Sequence, residues 1–148
     1  MKRFTFTLER VLAWRRMQAR LERLRWEQIG AQLRGIEIER ENLSLDRKRS
    51  AADLLQARSA SSEDLAALDR FRKHVDSEQI RLQKKHAEYE KQLAAQAAIL
   101  SAKERDVKVL EHLRERKLSG WTAERDRETE QIAAEAFLSR WHPRDSSD

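Results

Sequence analysis

The chain has 148 residues, 39% of them charged and 39% hydrophobic, with three glycines, one proline, no cysteine and a net charge of +5. That mix belongs to long helices rather than to a globule able to enclose a deep, partly dry pocket, so catalysis is not expected. The lack of cysteine removes disulfides and thiolate metal sites and fits a reducing compartment. No run approaches the roughly 20 apolar residues needed to cross a bilayer.

The first residues, MKRFTFTLERVLAWRR, carry positive charge and some apolar side chains. Glu9 and Arg10 interrupt what would be the apolar region of a secretory leader, and no small-residue cleavage site follows, so the chain reads as cytoplasmic and complete. Phe4, Phe6 and Leu8 alternate with Thr5 and Thr7, the pattern of an extended lead-in. From Leu8 the period becomes helical through Val11, Leu12, Trp14, Met17, Leu21 and Leu24. It continues at Ile29, Leu33, Ile36, Leu43 and Leu54, with Ile38 and Leu45 beside the stripe. The successive steps of four from Leu21 through Arg25 to Ile29 and Leu33 predict a stutter. Gly30 and Gly35 lie there and cost about 1 kcal/mol each relative to alanine, so a bend near 30–35 is expected.

The stretch Ala57 to Asp64 is the one credible turn in the middle of the chain. Ser61, followed three residues later by Asp64, resembles a variant capping box, and Glu63 and Asp64 suit a helix N-terminus. The second helix then shows the strongest pattern in the sequence. Steps of three and four pass through Leu65, Leu68, Arg72, Val75, Gln79, Leu82, His86, Tyr89, Leu93, Gln96, Leu100, Lys103, Val107 and Leu110. A repeat of about 3.5 residues keeps one stripe facing a partner helix. Asp69 with Lys73 and Glu104 with Lys108 are spaced for surface ion pairs. His142-Pro143 and the polar tail stop the helix.

These elements predict an all-α chain: one long antiparallel two-helix coiled-coil hairpin, with helix 1 over about 7–58, a turn at 59–62, a longer helix 2 over 62–141 and a polar tail at 142–148. Leu8 should then lie beside residues near 115. Residues beyond about 122 lack a partner yet still carry Ile132, Phe137, Leu138 and Trp141, so that end is either a docking surface or frayed.

No phosphate loop, nucleophile elbow or HExxH is present. His86 sits on the seam, where a polar residue commonly sets register, and His74, His112 and His142 lack companions at metal spacing. Arg72, Gln79, Gln96 and Lys103 interrupt the seam either to fix register or, around Arg72–Gln79 with Phe71 on the flank, to bind a partner. Positive charge concentrates in residues 1–25, with eight basic side chains against two acidic ones. In the hairpin this block approaches Lys103, Arg105, Lys108, Arg114, Arg116 and Lys117. Such a block suits a solvated face, an acidic protein channel, phosphate backbones or anionic lipid. A nucleic-acid-binding or peripheral membrane-binding coiled coil therefore stays open as an alternative.

The spacing Phe4-x-Phe6-x-Leu8-x-x-Val11-Leu12-x-x-Arg15 resembles the N-terminal signature of the FliJ family of flagellar type III export proteins. Leu110-Glu111-His112-Leu113-Arg114-Glu115-Arg116-Lys117, followed by Trp121 and a mixed-charge run to Glu130, is similar to that family's closing segment. Ala133-Ala134 depart from it where an acidic pair is expected. The resemblance implies a non-enzymatic coiled-coil stalk without cofactors, working in flagellum biogenesis and motility. Such a stalk would dock in the export ATPase ring and contact the cytoplasmic domain of the export gate, and some members escort export chaperones. On this resemblance Phe4, Phe6, Leu8, Leu12, Arg15, Arg16, Arg114 and Trp121 are expected at the ring. Phe71, Val75, Leu82, Ile38 and Leu45 are expected at the gate, with Phe71 off the seam and hence the better placed.

Overall fold

The computed structural model describes residues 1–57 and 59–141. Two α-helices follow one another, α1 over Glu9–Gln56 and α2 over Ser62–Trp141, and no strand occurs among the described residues. The chain is an all-α helical hairpin with the second helix the longer. The expected polar tail at 142–148 lies outside the described residues.

Local chemistry explains the helix limits. α1 begins two residues later than expected because Thr7 and Leu8 make a turn, in which the Glu9 N–H donates to the Phe6 carbonyl at 3.1 Å and the Leu12 N–H to the Leu8 carbonyl at 2.9 Å. Glu9, in the first turn, faces the positive end of the helix dipole. α2 starts where Ser61 predicted it. The Asp64 N–H donates to Ser61 Oγ and the Ser61 N–H to Asp64 Oδ2, each at 3.1 Å. That is a reciprocal capping box with Asp in place of Glu.

The chain divides into two compact units. Unit 2 comprises residues 19–102, the closed end of the hairpin. Its core is Ile36 from α1 with Val75, Leu82 and Leu100 from α2. Leu68, Phe71, Gln79, His86, Tyr89, Leu93 and Gln96 of α2 are half-buried, as are Ile29, Leu33, Arg40, Leu43 and Leu54 of α1. The expected α2 seam is thus occupied nearly throughout. Leu65 and Arg72 are its exceptions, both exposed, while Phe71 turns inward. From Val75 a step of four back towards the turn reaches Phe71 and a step of three reaches Arg72. An aromatic ring gains from that side and a guanidinium loses.

Unit 1 comprises residues 1–18 together with 103 onward. Phe6 and Leu12 are its buried residues, with Leu8 and Val107, Leu110, Leu113 and Leu118 of α2 half-buried around them. From residue 123 to residue 141 every α2 side chain is exposed.

The inward face of α1 departs from expectation in both units. In unit 1 Val11, Trp14 and Met17 point outward, with Trp14 51% exposed, while Arg15 and Gln18 sit on the seam. In unit 2 Leu21 and Leu24 are each 52% exposed, while Ala19 and Glu22 turn inward. Positions 8, 12, 15, 19, 22, 26, 29, 33 and 36 alternate steps of four and three, all buried or half-buried except Trp26 at the margin, 36% exposed. The expected stutter therefore comes from joining the outward Leu21 and Arg25 to Ile29 and Leu33 of the seam, and the seam itself has none. α1 also stays helical through Gly30 and Gly35, neither with a positive φ.

Candidate functional site

All eight residues singled out near the chain ends fall in unit 1. The extended lead-in lies along α2 and is fastened at several points. The Phe4 ring packs on Trp121 with centroids 6.0 Å apart and planes tilted by 56°. Trp121 Nε1 donates to the Lys2 carbonyl at 3.1 Å. The Arg114 guanidinium lies 5.9 Å from the Phe4 centroid and donates from Nε to Glu9 Oε2 at 3.1 Å. The Met1 ammonium approaches Glu128 at 3.8 Å. Phe6 and Leu12 beneath this clasp are buried, Phe6 7% exposed and Leu12 not at all. Phe4, Leu8, Arg15, Arg114 and Trp121 are half-exposed and Arg16 exposed, so they form the part that can be touched.

The positive charge of unit 1 is partly answered within it. Arg15 Nη1 pairs with Asp106 Oδ2 at 3.3 Å and Arg16 Nη2 with Glu111 Oε1 at 3.1 Å. These pairs are solvent-exposed and worth about 0.2–1 kcal/mol each. Their acidic members, with Glu9, are neighbours of the candidate cations that the apolar period alone does not single out. Opposite charges flanking both seams at matching distance from the turn were the signal that pointed to them. The Arg125 guanidinium lies 5.3 Å from the Trp121 ring centroid, so that ring carries Phe4 and a cation as neighbours. Beside the clasp runs a groove of about 430 Å³ lined by Lys2, Arg3, Phe4, Lys117, Trp121 and Glu124 among others. Three cations and two aromatic rings there suit an acidic segment with an apolar side chain.

In unit 2 the five candidate residues separate by burial. Val75 and Leu82 are fully buried and belong to the core, so they cannot meet a partner directly. Phe71, expected off the seam, is half-buried instead and lines a hollow of about 440 Å³ with Asp53, Leu54, Asp64 and Leu68 near the turn. Ile38, 59% exposed, and Leu45 lie on the outside of α1, seven residues apart and hence on one face. Polar seam residues are met by polar partners. Gln79 Nε2 donates to the Arg40 carbonyl at 2.9 Å, Gln96 Nε2 to the Glu22 carbonyl at 3.1 Å, and His86 Nε2 lies 3.1 Å from Glu37 Oε1. His86 on the seam is thus met by a carboxylate of α1. The expected Asp69–Lys73 pair closes at 3.1 Å. Arg81 donates to Glu78 Oε2 at 3.0 and 2.7 Å, and these bonds hold the Glu78 carboxyl below its usual range.

What these features define is an all-α helical hairpin whose extended N-terminal strap is clasped to its longer helix. The chain matches no protein-family model, no curated protein and no solved structure. Among the described residues no helix is long and apolar enough to cross a membrane, and no group of three or more His, Asp or Glu is placed to hold a metal ion.

Proposed function

We propose that the chain is a non-enzymatic stalk component of the flagellar protein export apparatus, acting in the cytoplasm at the inner face of the membrane. Unit 1 docks in the export ATPase ring. The outer face of unit 2 contacts the cytoplasmic domain of the export gate, and export chaperones are further partners. One observation carries this reading. The two stretches that resemble the FliJ family, residues 4–15 and 110–130, stand about a hundred positions apart in the chain, yet they meet in a single unit through the Phe4–Trp121 and Glu9–Arg114 contacts. A signature spread over both ends then has a physical reason: the strap and its receiving surface form one part.

Within that part the buried residues and the accessible ones do different work. Phe6 and Leu12 anchor the strap, while Phe4, Leu8, Arg15, Arg16, Arg114 and Trp121 meet the ring, their cations steering towards an acidic channel. At the gate, Ile38 and Leu45 supply the outward apolar contact and Phe71 its edge. Val75 and Leu82 hold the helices together behind them.

The test is a pull-down with purified export ATPase and the hydrolysis rate with and without this chain. Phe4→Asp should raise the concentration needed for half-maximal stimulation about tenfold, the effect of losing an aromatic anchor, with helicity kept. Equal stimulation by wild type and variant, or none by either, would sink ring docking.

A further inference from the structure

Among the described residues unit 1 exposes two apolar surfaces, the first with the Arg15 guanidinium 5.3 Å from the Trp14 ring centroid. It is the outward side of α1, where Val11, Trp14 and Met17 lie exposed beside Arg10 and Arg16. The other is the end of α2. Residues 123–141 are helical, and Phe137, Leu138 and Trp141 are 62%, 62% and 74% exposed. With Ala134 these occupy positions i, i+3, i+4 and i+7, one face of the helix. The Phe137 and Trp141 rings already lie 6.3 Å apart.

The charges are opposite in sign over the two whole segments, the acidic excess lying at 124–130 and the Ala134–Trp141 face itself being neutral, with Glu135 and Arg140. Residues 1–18 carry five basic side chains against Glu9 alone, whereas residues 123–141 carry five acidic ones against three basic. The lengths match. From Ala134 to Trp141 the helix rises about 11 Å, and from Val11 to Met17 about 9 Å. Among the described residues the apolar face of the α2 end is exposed, and a helix with such a face uncovered is poorly supported, because most helical stability comes from packing it.

We propose that the occupant of the α1 surface is the α2 end of a second copy of this chain, giving a two-fold symmetric dimer. Each tail lies along its partner's α1, with the Ala134–Trp141 face on Val11, Trp14 and Met17. Symmetry makes the contact twice, so twelve large side chains are covered. At about 100 Å² apiece this comes to roughly 1,200 Å², above the ~1,000 Å² that a specific interface needs. Pairing α1 with α1 is disfavoured, because it sets Arg10 and Arg16 against their own copies. The dimer surface borders Arg16, but its test is separate from the export reading, since neither Trp14 nor Phe137 is placed at the ring.

The test is sedimentation velocity of the full chain from low micromolar to several hundred micromolar. Wild type should show a monomer–dimer equilibrium. Trp14→Glu and Phe137→Glu should each weaken it at least tenfold, with helicity of the hairpin unchanged by circular dichroism. Mixing the two variants should partly restore association, because the mixed dimer keeps one contact intact: a wild-type tail on a wild-type α1. A wild-type chain that stays monomeric throughout overturns the proposal. So does a dimer that both variants leave intact, or a mixture no better associated than its components.

Discussion

Replacing Leu12 by alanine, compared with the same change at Leu21, tests which face of α1 is inward. Leu12 has no exposed surface, whereas Leu21 is 52% exposed. A buried leucine cut to alanine costs about 2–5 kcal/mol, including the cavity left behind. A layer of two helices is open on both flanks and can close or hydrate such a gap, so about 2–3 kcal/mol is expected for Leu12→Ala. At Leu21 roughly half of the side chain is already in water, and alanine is the better helix former. The expected loss there is about 0.5 kcal/mol. For a chain of this length 1 kcal/mol moves Tm by about 2–4 °C, which predicts a fall of about 5–10 °C for Leu12→Ala and about 1–2 °C for Leu21→Ala. Urea and thermal unfolding followed by far-ultraviolet circular dichroism, at a concentration where the chain is monomeric, measures both. Equal losses, or a larger one at Leu21, would mean that the Trp14–Leu21 stripe faces α2 and that the seam through Leu12, Arg15, Ala19 and Glu22 is wrong.

Two further substitutions test the local chemistry. Gly35→Ala should stabilise the chain by about 0.5–1 kcal/mol, since the backbone is helical there and a Cβ would meet nothing within 4 Å; a loss of stability in the same urea titration would contradict this. Ser61→Ala removes the acceptor of the Asp64 N–H and should cost about 1 kcal/mol, with amide exchange quickening at the start of α2. Unchanged exchange at Asp64 would show that the capping box does not hold the helix end.

Much of this architecture was legible from residue order. The α2 seam could be read because its apolar positions form one stripe without a competitor, and Val75, Leu82 and Leu100 are buried where the period put them. Ser61 and Asp64 announced the start of α2 because capping is chemistry within three residues. The inward face of α1 was not legible, and neither was the exchange of Phe71 for Arg72. α1 carries two apolar stripes, Leu8–Leu12 and Trp14–Met17–Leu21–Leu24, and periodicity says that each faces something without saying what. Arg15 and Glu22 look like surface residues by type. They lie inward, where the Glu22 carboxylate accepts from Gln96 Nε2 and Arg15 donates to Asp106 Oδ2.

By itself the order of residues determined what depends on near neighbours: the helices, their caps, the turn and the repeat that demands a partner. Only the packing of one helix on the other decided which α1 stripe is used and which candidates are left accessible. The physical reason is that hydrophobic burial is non-directional. Either stripe of α1 could satisfy it, and the choice came from matching the polar seam residues of α2, a complementarity that exists only once two distant stretches of chain meet.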